Sequence, residues 1–152
     1  MKTLLIFSCL VFSALAQAKE MPSTELIQAR LDASGLTKVG QWNDSQDGIS
    51  QRIDGGTIVI TKDGFAAAME LVETSDSELE LSFLKANNVC VSGALESIDM
   101  AQHTTLRQSM RKSFNSSLTA YENRATTSAW GYQFKTELAK HNGSTLAICG
   151  LR

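Results

Sequence analysis

From Ile49 onward the chain is cut into short segments by turn-forming clusters, Asp54-Gly55-Gly56, Lys62-Asp63-Gly64 and Asn142-Gly143, and the segments between them alternate in polarity. A side-chain period of two suits strands with one buried face. Breaks of two or three residues rich in Gly, Asn and Asp suit antiparallel hairpins. The expected strands are Ile49 to Ile53, Thr57 to Thr61, Phe65 to Glu73, Glu78 to Phe83 and Val89 to Ser92, with Thr74 to Ser77 and Asn87-Asn88 as further turns. The alternation from Glu78 to Phe83 would leave the meander wet on one side. Ala66 to Leu71 is its weakest member, because those residue types favour helix.

Two helices frame this pattern. Ser23 or Thr24 caps the first, which carries Leu26, Ile27 and Leu31 and stops at Gly35. Residues 36 to 50 read as a short strand and a polar surface loop around Trp42. Residues 93 to 123 read as a longer central helix, with Thr105 and Gln108 spaced as a capping box and Leu106, Met110, Phe114 and Tyr121 forming one stripe. Period two returns at Trp130, Tyr132 and Phe134, and Asn142-Gly143 turns the chain into Thr145 to Cys149. The expected fold is α+β: a single antiparallel β-meander sheet, an N-terminal helix and a longer central helix packed on one face, and a C-terminal β-hairpin.

Residues 1–18 read as a secretory leader. Lys2 precedes an apolar run from Leu4 to Leu15, and Ala16-Gln17-Ala18 supplies the small residues at which a signal peptidase cleaves. Residues 19–152 then form a single exported domain, periplasmic or secreted, with no stable membrane insertion after cleavage. Loss of Lys2 takes the formal charge from −2 to −3. A mildly negative surface disfavours nucleic acid and anionic lipid as partners. In an oxidising compartment Cys90 and Cys149 have one internal pairing open to them, a bridge expected to lie in or beside the sheet.

The sequence carries neither a nucleophile elbow nor a phosphate loop, and no cofactor is expected. Glu96, Asp99 and His103 stand at i, i+3 and i+7, so a continuous helix would bring two carboxylates and an imidazole to one side. That spacing suits a metal ion or an oriented base, although a metal would need further ligands from another element. Trp42, beside the polar loop, is the first candidate contact residue for a partner; Trp130, Tyr132 and Phe134 share one strand face, which suits the core or, if exposed, a binding surface carrying Trp130 and Tyr132. The leading expectation is a small non-enzymatic binding protein, of inhibitor or immunity type, for a protein of the cell envelope or extracellular space. The alternatives are a small exported hydrolase or metal-binding protein using Glu96, Asp99 and His103, and a structural subunit that associates through a sheet edge.

Overall fold

The computed structural model describes residues 19–119 and 123–152. The leader at 1–18 and Tyr121 lie outside the described residues. The chain runs through α1 (Thr24–Ser34), β1 (Asn43–Ser45), β2 (Gly48–Ile53), β3 (Gly56–Thr61), β4 (Gly64–Leu71), α2 (Asp76–Ser97), α3 (Thr104–Ser116), β5 (Arg124–Ala129), β6 (Tyr132–His141) and β7 (Ser144–Leu151). All seven strands form one antiparallel sheet in the order β1-β2-β3-β4-β7-β6-β5. Two meanders, β1 to β4 and β5 to β7, are joined where β4 pairs with β7. The expected α+β architecture is present, with the helices on one face.

The stretch expected as two further strands, Glu78 to Phe83 and Val89 to Ser92, is helical. Ser75 accepts a hydrogen bond from the Glu78 N–H, and the Glu78 carboxylate turns back to Thr74 and Ser75. The residues read as a turn therefore form an N-cap and reciprocal box. Beyond it Ala86, Val89, Cys90, Gly93, Ala94 and Ser97 are buried at helical spacing. The alternating Glu-Leu pairs lie in the first turns, where Leu81 and Leu84 remain exposed. Helix α2 lies so close to the sheet that a Cβ on Gly93 would stand 2.4 Å from the Phe65 ring.

The expected helix over 93 to 123 is divided: α2 ends at Ser97, and α3 begins at Thr104. The cap of α3 is His103, whose Nδ1 accepts from the Leu106 N–H at 3.2 Å, in place of the Thr105–Gln108 box. Leu106, Met110 and Phe114 are buried as the stripe requires.

Strand β7 pairs with β4 and β6. Cys90 and Cys149 form a disulfide with a Cα–Cα distance of 5.8 Å, and it joins helix α2 to strand β7 across the core. Both cysteines are buried beneath the sheet, Cys90 from a helix rather than a strand. None of the helices among the described residues is long and apolar enough to cross a membrane. The bridge favours an oxidising compartment.

Candidate binding groove at the β5 edge

Ala129 pairs with Tyr132, so Trp130 and Gly131 are the two central residues of a tight hairpin turn. Their φ angles are +59° and +84°. Positive φ at both positions is the signature of a type I′ turn, whose twist matches that of the flanking strands. Trp130 is therefore a turn residue and does not share a strand face with Tyr132 and Phe134. Its side chain is 59 % exposed, whereas Tyr132 is 4 % exposed and Phe134 is buried.

Three contacts fix this turn. The His103 ring meets the Trp130 indole edge to face, with centroids 4.9 Å apart. The Lys19 N–H donates to the Gly131 carbonyl at 2.9 Å. The Lys19 ammonium lies 5.3 Å from the centroid of the Tyr132 ring. An aromatic side chain held in this way offers contact area at little ordering cost.

Strand β5 leads away from the turn as one edge of the sheet. Helix α3 runs antiparallel beside it, with His103 at the Trp130 end and Ser116 at the other. Between them lies a groove of about 360 Å³ lined by Ser109, Lys112, Ser113, Ser116, Thr126 and Thr127. The α3 residues recur at i, i+3, i+4 and i+7, one helix face. Hydroxyl groups and one ammonium group dominate the lining. Ser113 is 6 % exposed, and its Oγ is without a hydrogen-bond partner.

Trp42 sits at the opposite edge, just before β1. It is half-buried against the core, and its Nε1 donates to Asp32 Oδ1 at 3.0 Å. The structure thus separates Trp42 from Trp130 and places Tyr132 behind the turn. Glu96, Asp99 and His103 do not share a helix face, because α2 ends between Glu96 and Asp99. Asp99 adopts φ +60° and faces Arg30 at 3.7 Å, while His103 caps the next helix. Among the described residues no group of three or more His, Cys, Asp or Glu side chains is placed to hold a metal ion.

No protein-family model, curated protein or solved structure matches the chain. The sequence reading missed this turn, and the signal that could have found it is Gly131 directly after Trp130. Xaa-Gly between two apolar-alternating segments is the form of a two-residue hairpin loop.

Proposed function

We propose that the chain is an exported, non-enzymatic binding domain that engages a protein partner through the Trp130 turn and the adjoining edge of the sheet. The observation that carries this reading is Trp130 itself. A left-handed conformation costs a residue with a Cβ about 1–2 kcal/mol relative to the ordinary helical region. Burial does not offset that cost, because most of the indole faces water. Strain combined with an exposed aromatic side chain on a pinned turn is the pattern of a contact residue.

The partner belongs to the cell envelope or the extracellular space, consistent with the leader-like residues 1–18 and the disulfide. Inhibition of an envelope enzyme is one form such binding would take. Trp42, tied to Asp32 and packed on the core, stabilises the opposite edge in this reading, and Tyr132 supports the turn from beneath.

The test is capture of partners from envelope extract by the purified mature domain and by Trp130→Asn. Loss of a captured protein with the variant, at an unchanged or raised melting temperature, supports the reading. Retention of every captured protein by the variant overturns it.

A further inference from the structure

The backbone of β5 carries information that its side chains do not. The Leu138 N–H donates to the Asn123 carbonyl at 2.8 Å, which makes Asn123 and Leu138 a hydrogen-bonded pair. Hydrogen-bonded and non-hydrogen-bonded pairs alternate along an antiparallel ladder. With Ala125 opposite Thr136 and Thr127 opposite Phe134, the amide groups of Ala125 and Thr127 turn toward β6. Those of Thr126 and Ser128 turn outward, away from the sheet.

Native edge strands are ordinarily blunted by brevity, proline, bulges or inward-pointing charge. The other edge, β1, is three residues long and includes Asp44. Strand β5 is six residues long, and from Ala125 to Ala129 it is neutral, with neither proline nor a break in register. It offers about 20 Å of pairing surface.

The groove beside that edge has a sign. Helix α3 contains Arg107, Arg111 and Lys112 and no acidic residue; Arg107 turns to the Ser92 hydroxyl and the Ala101 carbonyl, which leaves Lys112 as the charge in the groove lining. Lys112 lines the groove itself, with Ser109, Ser113 and Ser116 from the same helix and Thr126 and Thr127 from the strand, and the buried Ser113 hydroxyl has no partner. Hydroxyls and an ammonium suit carboxylate oxygens.

We propose that the partner docks as an eighth strand: an extended peptide segment pairs with the outward amide and carbonyl groups of Thr126 and Ser128 and directs an acidic side chain to Lys112. The segment runs along the groove and ends against Trp130, which rests this inference on the function proposed above. A second copy of the chain fits the same edge less well. Antiparallel pairing of β5 with itself about Thr126 would bring the two Lys112 side chains toward each other across the two-fold axis.

The probe is an acetylated, amidated octapeptide of alternating valine and glutamate, with a valine–lysine octapeptide as its control. Amide exchange by NMR reads the mode of binding directly. The expected result is slowed exchange at the Thr126 and Ser128 amides with the glutamate peptide and none with the lysine peptide. Thr126→Pro removes an outward donor without touching the β6 ladder, and it should abolish the protection at an unchanged melting temperature. Lys112→Ala should weaken the glutamate peptide about tenfold, as expected for loss of a charged hydrogen bond.

Three results would overturn the inference. One is a lack of protection at Thr126 and Ser128 at millimolar peptide. Another is equal binding of both peptides. The last is protection that appears with rising protein concentration in the absence of peptide, which assigns the edge to a second copy. If one of them occurs while Trp130→Asn still loses its captured partner, the binding role stands and only the strand-addition mode falls.

Discussion

Trp130 and Asn142 occupy the same position in two turns of the same type. Asn142 and Gly143 have φ angles of +50° and +85°, nearly those of Trp130 and Gly131. Asn-Gly is the preferred pair for this geometry, and Trp-Gly is not. Trp130→Asn should therefore raise folding stability by about 1 kcal/mol, read as a shift in the denaturation midpoint, while binding is lost. A gain in stability with loss of function is the outcome that a merely structural tryptophan would not give. His103 permits a second test at this scale. Removing its Nδ1 acceptor in His103→Ala should cost about 1 kcal/mol, and His103→Asp should recover it, because a carboxylate also caps an amide and favours the positive end of a helix. Chemical denaturation of both variants would check the pair.

At the scale of elements, the helices hold the sheet through close approach and capping. Gly93→Ala in α2 should destabilise the fold by about 1–3 kcal/mol, since the added methyl meets the buried Phe65 ring. The gain of about 1 kcal/mol in helix propensity does not compensate. The start of α2 brings a pH dependence. Hydrogen bonds from Thr74 and then Ser75 hold the Glu78 carboxyl below the ordinary glutamate range. A carboxyl lowered on folding stabilises the native state above its unfolded value, and that contribution disappears as pH falls through the folded value. The acid limb of a stability–pH profile should be shallower in Glu78→Gln. This capping box also explains what the sequence withheld. Six alternating residues from Glu78 to Phe83 satisfy a strand pattern, and only the burial of Ala86, Cys90, Gly93 and Ser97 at helical spacing decides for a helix. The strands from Ile49 to Leu71 were legible because Gly-containing turns separate them from one another. The exposure of Trp130 was not legible, because its alternation with Tyr132 and Phe134 suggested a buried strand face and only Gly131 marks the turn. The β5 groove was not legible at all, because it requires α3 and β5 to lie side by side in the fold.

Across the whole molecule, the Cys90–Cys149 bridge joins the two halves of the chain, linking α2 to β7, the strand through which the second meander pairs with the first. Closing a loop with a sequence separation of 59 stabilises a fold by about 4 kcal/mol on the chain-entropy account. Reduction should therefore lower the melting temperature substantially, and replacement of both cysteines by serine should reproduce the loss. Alkylation of the chain from Lys19 to Arg152 without reductant should add no mass. The path of the chain has a practical consequence of its own. Lys19 is bonded to Gly131, and the backbone of Arg152 exchanges two hydrogen bonds with Gln133, so residue 19 and residue 152 both meet the β5–β6 hairpin. A tag, dye or surface tether placed ahead of Lys19 or behind Arg152 would emerge beside Trp130 and obstruct it. Attachment at Gln46 or Asp47, in the turn between β1 and β2 on the far edge, would orient an immobilised molecule with its indole turned outward.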